Sequence, residues 1–493
     1  MPGTVASPYW FSETFGFSEE SFDKTREKFT FADGILESKA FEACINTAGI
    51  LTLTRRLWVL VSGLGVTKRQ FHVGPFELVS VEELRGRLAG FDGSLGGLTF
   101  SNVCGNAQTL HRDAANEGAV FQVASQFNCL EMNEPGARPE DGVTRYYSDA
   151  TQGPACAVSC PAGTVFRNYF VNGSGQGRGR QLDGLAEIGE LVNNAKEKYW
   201  RMVNGYCLPT DSKSLARLGQ RIKEDEKLSD EIRNRLRIGV HWDTEVANKE
   251  HRVCQVFCSA LPVAYAKSTR SQDWEAFARL VLQGTFEATL AIAAILSAER
   301  QARVKVYLSA VGGGAFGNRT LWIVDAIERA LRTHADAPLD VMLVHFSSVP
   351  RGAYGDLEKG RKKIRPAPKT APAPEATPAA PSEGDARAGP DEVEAPTLTK
   401  TDSDGVLIAK AFAKLDLNGD GVILEDEMAA VLIKIVPGLD AEGVKQIFTA
   451  ADANADGEIH YVEFASWVTR EDAGAVAKDV LKLAEAASEE KKE

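Results

Sequence analysis

Two twelve-residue stretches near the C-terminus carry oxygen donors at the spacing a hard divalent cation requires. The first, DLNGDGVILEDE, covers 416–427, and the second, DANADGEIHYVE, covers 452–463. Positions 1, 3 and 5 are Asp416, Asn418 and Asp420 in one stretch, and Asp452, Asn454 and Asp456 in the other. Position 6 is glycine in both, Gly421 and Gly457, where the backbone must turn sharply. The main-chain carbonyls of Val422 and Glu458 supply position 7. Glu427 and Glu463 at position 12 can close the shell with both carboxylate oxygens. Position 9 is Leu424 in one loop and His460 in the other, so water completes the site there. Every donor is an oxygen, and Ca2+ is the cofactor this pattern calls for.

These loops are identified as a pair of EF-hands, one motif repeated. Their starts lie 36 residues apart (452 − 416), which leaves room for an exiting helix, a turn at Pro437 and Gly438, and an entering helix. Ile423 and Ile459 occupy position 8 of each loop and predict a short antiparallel bridge between the loops. Phe412, Met428, Leu432, Ile447, Phe448 and Phe464 recur at helical spacing around them. A pair that opens on binding exposes an apolar groove, whose expected target is an apolar helix: the body, the C-terminal tail or another protein.

A second chemical signal lies at 304–331, VKVYLSAVGGGAFGNRTLWIVDAIERAL. A buried strand pattern runs into Gly312, Gly313, Gly314, Ala315, Phe316, Gly317 and Asn318, and an amphipathic helix follows. Glycine lets main-chain N–H groups approach an anion with no Cβ in the way. The helix N-terminus adds partial positive charge. That is a recipe for a diphosphate site. It is not a Walker loop, because no Lys-Ser/Thr follows, and its glycine spacing is not that of the dinucleotide fingerprint. A tight strand-to-helix turn with no ligand is the plainer alternative.

Residues 286–317, with the strand patterns on either side at 254–265 and 339–346, resemble the macrodomain family, an ADP-ribose-binding α/β/α fold. The resemblance covers roughly 98–348. It implies a small ADP-ribose-like molecule or an ADP-ribosylated protein as partner. It implies ligand contacts from Gly312, Gly313, Gly314, Phe316 and Gly317, with Phe316 near the distal ribose. In that family an aspartate in the first turn contacts the adenine amine; Asn106 stands at the matching place. The first glycine-rich loop of the family is missing. DATQGPACA at 149–157 replaces it, with Gln152 and Gly153 as candidate contacts. The family's catalytic asparagine maps near Asn128. Glu131, in NCLEM, stands where a strand end would present a general base. Asn128 bonding only to backbone, Glu131 as a solvated surface residue, and Asp149 with Thr151 as a turn cap are the competing structural explanations. The implied activity is hydrolysis of a bond at the distal ribose. The alternative is a non-catalytic ADP-ribose reader, or a calcium-responsive adaptor.

The elements expected to hold these groups are strands at 76–81, 98–104, 119–124, 163–171, 253–265, 304–311 and 339–346. Helices are expected at 182–203, 211–235, 272–299 and 321–334. Apolar runs alternating with helical patterns predict α/β or α+β architecture with helices on both faces of the sheet; the resemblance implies an α/β three-layer, macrodomain-like fold, and the C-terminal loops a small all-α EF-hand pair. The expected domains are 1–90, an extension packed on the body; 91–350, the α/β domain with a helical insertion at about 172–240; 351–402, a Pro/Ala-rich linker; 403–475, the EF-hand pair; and 476–493, a charged tail. The linker has too few large apolar residues to offset its ordering entropy.

The formal net charge of −12 argues against general nucleic-acid binding. The start of the chain lacks a basic region followed by an apolar run, so a cytoplasmic or nuclear location is expected. The apolar stretch 280–296 is interrupted by Gln283, Gly284, Thr285 and Glu287, which predicts a buried core helix and no membrane span. Eight cysteines without CxxC spacing read as small buried hydrophobes.

Overall fold

The structure is a computed structural model. It describes residues 6–39, 69–91, 93–149, 151–266, 269–346, 348–350, 352–360, 422–436 and 439–452, with Leu415, residues 459–460, Phe464, Trp467 and Val468. Strands β1 (Phe29–Ala32), β2 (Ile35–Ser38) and β3 (Gln70–His72) form a small antiparallel sheet. Seven strands form the main sheet: β4 (Phe76–Ser80), β5 (Thr99–Cys104), β6 (Val120–Ala124), β9 (Arg237–Glu245), β10 (Arg252–Cys258), β11 (Val304–Leu308) and β12 (Leu339–His345). Between them in the chain, β7 (Trp200–Val203) and β8 (Tyr206–Pro209) make a separate hairpin.

The main sheet has the order β4-β9-β10-β6-β11-β12-β5. Pairing is parallel from β10 through β5, and only β9 runs against its neighbours. Alternation along the central strands sets the two faces. Val120, Val256, Val306 and Leu308 belong to the core that includes the long helix Ser271–Arg300. Phe121, Val253 and Tyr307 belong to the opposite side, with Cys160. Helices therefore cover both faces, which is the three-layer α/β class expected.

The helix Ser271–Arg300 is the spine of the first face. By length and composition it is apolar enough to cross a membrane, yet 94% of its most apolar window is buried inside the fold. It starts at a capping box in which the Asp273 carboxylate accepts from the Arg270 N–H, and stops where Gln301 turns left-handed at φ 51°. Gly284 lets the neighbouring chain close in, since a Cβ there would lie 2.8 Å from Leu236 Cδ2. Its polar residues are used: Thr289 Oγ1 accepts from Gln122 Nε2 of β6 at 3.0 Å. Helix Thr320–Thr333 packs beside it.

Five expectations are corrected. The body does not end at 350 with the linker starting at 351: helix Ala353–Gly360 buries Tyr354 and Leu357 in the main core, and the Tyr354 carbonyl accepts from Asn102 Nδ2 at 3.1 Å. Residues 163–171 are not a strand; they lie in helix Pro161–Tyr169 and the turn after it. Proline at the first helical position suits its missing N–H. Its apolar residues Pro161, Ala162, Val165, Phe166 and Tyr169 do recur at helical spacing, but the expected strand began inside the helix at Gly163 and cut that period short. The insertion is not wholly helical. It carries helices Ala186–Val192, Ser212–Glu224 and Glu226–Arg235, but also the β7–β8 hairpin, and its end is strand β9. The expected helix 182–203 is accordingly short. The sheet also begins before residue 90, because β4 pairs antiparallel with β9.

Trp10, Phe11, Phe15, Phe17 and Phe22 are all buried, so the aromatic start of the chain packs onto the body as expected. Seven cysteines are described; none is in a disulfide, and only Cys104 is exposed.

Candidate functional site

The parallel strands end at one cavity of about 450 Å³, lined by the segments after β5, β6, β11 and β12. Crevices beyond the carboxyl ends of parallel strands are where open α/β sheets hold ligands. Three regions of its wall matter.

At one end stand Gly105 and Asn106, with Leu110, Tyr307, Val344 and the exposed ring of Phe346. Asn106 caps the helix Ala107–Arg112: its Oδ1 accepts from the Gln108 N–H at 2.8 Å and the Thr109 N–H at 3.4 Å. Its acceptor is committed, so what it can still offer a ligand is a donor.

The glycine loop forms the second region. Gly312 has φ 91°, and a Cβ there would lie 2.6 Å from Ala260 Cβ, so only glycine fits. Asn318 Nδ2 clamps the loop by donating to the carbonyls of Leu261 and Gly312. A Cβ on Gly314 would meet nothing within 4 Å, which leaves that position open to the cavity. The Ser309 hydroxyl, buried in the same wall, has no hydrogen-bond partner among the described residues. Next to the loop lies the start of helix Gln152–Ser159, whose Thr151 gives no side-chain cap. Gln152 ties that start to β6, accepting from the Ala124 N–H at 2.9 Å and donating to the Gln122 carbonyl at 2.7 Å.

The third region carries the ionisable groups. The chain leaves β6 through Cys129, which takes a left-handed φ of 61°, and this kink delivers Glu131 to the cavity wall. Glu131 is 2% exposed. The Arg167 Nη2 donates to its two oxygens at 3.1 and 3.2 Å, Arg167 Nε donates to the Cys129 carbonyl at 2.8 Å, and the guanidinium lies 3.7 Å from the centre of the Phe257 ring. Arg167 is itself fully buried. Burial pushes the Glu131 carboxyl up to about 7, against the opposing pull of Arg167. The same cavity is lined by Asp149 and a cluster of three rings, Tyr206, Tyr265 and Phe316, with centroids 5.4 to 5.7 Å apart. Asp149 Oδ1 accepts from the Thr151 N–H, so it also closes the turn before the helix.

The structure thus brings Asn106, Gln152, Gly312, Gly313, Gly314, Phe316 and Glu131 to one cavity. Asn128, Gly153 and Gly317 are placed elsewhere. Asn128 points away: its Oδ1 accepts from the Leu130 N–H and its Nδ2 donates to Gln181. Gly153 packs behind the wall, where a Cβ would lie 1.9 Å from the Ala124 carbonyl oxygen. Gly317 closes the turn Gly314–Phe316 at φ 65°. Tyr206, Tyr265 and Ser309 escaped the sequence reading. Tyr206 had a signal, because Asn204-Gly205 between two apolar runs specifies the β7–β8 hairpin that presents it.

In the C-terminal module, Ile423 pairs with Ile459 in the antiparallel bridge β13 (Val422–Ile423) and β14 (Ile459–His460), as expected. Helices Glu425–Ile435 and Ala441–Ala451 flank the loops. Met428, Leu432, Val444, Phe448, Phe464 and Trp467 form its core. Val422 lies in the bridge, while Glu427 sits in the first turn of the helix after the first loop and Asp452 caps the end of the helix before the second. Asp416, Asn418, Asp420, Asn454, Asp456, Glu458 and Glu463 lie outside the described residues.

The EF-hand domain pair family matches residues 407–469. The C-terminal segment is an EF-hand pair. Its donor set is all oxygen and its loops are bridged back to back, so the residues fit calcium. The segment is 39% identical over 59 residues to a probable calcium-binding protein of Arabidopsis thaliana, covering 12% of this chain and 41% of that relative. It is 39% identical over 57 residues to an EF-hand calcium-binding domain-containing protein of Mus musculus, covering 12% and 9%. The chain therefore spans less than half the length of these two relatives. A solved structure of poly(ADP-ribose) glycohydrolase from Thermomonospora curvata, bound to the inhibitor ADP-HPD, aligns with 58% of this chain and 84% of its own at 13% identity and a TM-score of 0.31.

Glu427→Gln should weaken calcium binding at the first loop by at least about tenfold, because one charge leaves the shell. Calcium titration of the full chain against the wild type checks this.

Proposed function

We propose that the body binds ADP-ribose or a related nucleoside diphosphate sugar in this cavity and hydrolyses a bond at the distal ribose, in a protein that also binds calcium. The observation that carries the proposal is the lining of a single cavity by both the glycine loop 312–314 and the buried carboxyl of Glu131. Main-chain N–H groups of the loop, the Ser309 hydroxyl and the start of helix Gln152–Ser159 suit a diphosphate. Tyr206, Tyr265 and Phe316 suit the apolar faces of a sugar. Glu131 is the acid–base group. Protonated, it gives its proton to the leaving oxygen as the bond to the anomeric carbon breaks. As carboxylate, it takes a proton from the water that attacks that carbon. A carboxyl poised near 7 can serve in both forms.

One observation favours a reader that binds without cleaving: Arg167 engages both oxygens of Glu131. Turnover of O-acetyl-ADP-ribose or ADP-ribosylated protein separates the two. Its absence, with ADP-ribose still bound tightly, selects the reader.

Binding itself is tested by calorimetric titration of the full chain with ADP-ribose, with calcium and with chelator. Affinities that differ between the two conditions establish coupling between the calcium module and the body. Equal affinities leave them as independent sites. Gly314→Glu should abolish the heat of binding, because it sets a negative side chain where the diphosphate lies. Gly314→Ala, the control for backbone strain, should bind more weakly but measurably. Unchanged binding in Gly314→Glu would rule the loop out.

A further inference from the structure

Glu131 is held from two sides, and one distant residue holds both. Its N–H donates to the Tyr146 hydroxyl at 3.1 Å, and its carboxylate accepts from Arg167. Tyr146 belongs to the turn Thr144–Ser148, and Arg167 to helix Pro161–Tyr169. Glu19 lies far upstream in the sequence. It accepts from the N–H groups of Val143 and Thr144 at 2.8 and 2.7 Å, where the turn begins. It also accepts from the Tyr169 hydroxyl at 2.6 Å, at the end of that helix.

Neighbours in the N-terminal segment tighten the same two elements. Trp10 Nε1 donates to the Thr144 carbonyl at 2.8 Å. Arg26 Nε donates to the Tyr169 carbonyl at 3.0 Å and its Nη2 to the Gly173 carbonyl at 2.7 Å. Gly142, at φ 82°, has no room for a Cβ, which would lie 2.4 Å from the Glu19 carboxylate. A carboxylate that takes three donors from two separate elements is a strong, oriented tie.

We propose that Glu19 is a positioning residue for Glu131: by fixing the turn 144–148 against the helix 161–169, it sets where the Glu131 carboxyl stands in the cavity wall. The N-terminal segment is then part of the site's machinery and more than a cover on the body. The proposal rests on the reading of the cavity as a nucleotide-hydrolysing site. Glu19 does not touch the cavity, so its effect passes through Tyr146 and Arg167. The titratable groups around Glu131 are Arg167, Tyr146 and the thiols of Cys129 and Cys156, with Asp149, Tyr206 and Tyr265 on the same cavity wall.

The test uses the full chain with Glu19→Ala, Glu19→Gln and Trp10→Phe, each checked for folding by thermal melt. Three quantities are measured: ADP-ribose affinity, kcat, and the ionisation midpoint of Glu131, followed by the carboxyl carbon resonance that Glu131→Gln removes. In Glu19→Ala the affinity should change less than about threefold, because the glycine loop is untouched. Its kcat should fall about a hundredfold, as expected for a displacement near 1 Å. The midpoint should move down from near 7 as water reaches the carboxyl. Glu19→Gln, which keeps one acceptor oxygen, should lie between. If Glu19→Ala does not fold, Glu19→Gln and Trp10→Phe carry the same comparison. A folded variant with the wild-type midpoint overturns the proposal. If the wild type binds ADP-ribose without turnover, the hydrolase reading fails by itself, and the midpoint still decides the role of Glu19.

Discussion

Glu131→Gln is expected to lower turnover about a hundred- to ten-thousand-fold while leaving ADP-ribose affinity close to that of the wild type. Glutamine keeps the shape and still offers Arg167 an oxygen, so the wall of the cavity stays in place. What it loses is the proton. The pH profile sharpens the test. With the carboxyl pushed up to about 7 by burial, the acid form needed by the leaving group is depleted above that pH, so kcat should fall along a limb near 7. That limb should vanish in the residual activity of Glu131→Gln. Stability gives an independent check of the same shift. A carboxyl whose folded value is raised above the ordinary 4.5 contributes stability below 4.5, and that contribution is lost as pH rises toward 7. The wild type should therefore lose ground to Glu131→Gln across that window and hold a constant difference above it. Denaturant melts of both proteins from pH 4 to 9 measure this. Full turnover in Glu131→Gln would sink the assignment of the acid–base role. Parallel stability curves would show instead that the pull of Arg167 cancels the effect of burial.

The parts of this chain legible in the sequence are those where chemistry and local geometry coincide. The spacing of Asp416 to Glu427 sets a loop by itself, and Ile423 and Ile459 pair because both sit at the same loop position. The glycine loop was legible because Gly312 needs its positive φ and the strand before it reads as buried. Asn128 and Glu131 were both candidates, and only tertiary structure separates them. The left-handed turn at Cys129, the docking of Gly205 against Asn128 and the grip of Arg167 send one inward and the other to the cavity. Helix Pro161–Tyr169 was legible but missed: Pro161, Ala162, Val165, Phe166 and Tyr169 hold a helical period, which a segment starting at Gly163 and running on to Val171 conceals. Arg167 carried no local signal, because a buried arginine becomes meaningful only when its carboxylate partner is known. The β9 strand was hidden at the end of an insertion read as helical, and its place between β4 and β10 is a long-range fact.

A second buried carboxylate should behave in the opposite way, and replacing it should cost stability measurably. Glu287 projects from the long helix with its side chain 1% exposed. Arg85, from helix Val81–Arg87, and Arg329, from helix Thr320–Thr333, each pair with one of its oxygens, and Arg85 also reaches Asn234. One carboxylate thus ties three helices across one face of the sheet. Burial raises its carboxyl, and the combined pull of Arg85 and Arg329 more than offsets that, leaving it below the ordinary 4.5. Glu287→Ala removes the shared partner of two guanidinium groups that are each about a third exposed, at a cost of about 1–2 kcal/mol, below that of a fully buried pair. The triple change to Leu at Glu287, Arg85 and Arg329 should cost less, because no buried carboxylate or unpaired guanidinium is then left behind. The pH sign follows from the lowered value: the contribution of Glu287 is fully present above 4.5 and is lost as pH falls through its folded value. Acid unfolding should therefore be shallower in the triple variant than in the wild type. A Glu287→Ala protein as stable as the wild type in denaturant at pH 7 would show that the two arginines are held by solvent and not by Glu287. The two glutamates then separate by sign in one pH series: below about 4.5 the wild type loses what Glu287 gives, and between 4.5 and 7 it loses what Glu131 gives.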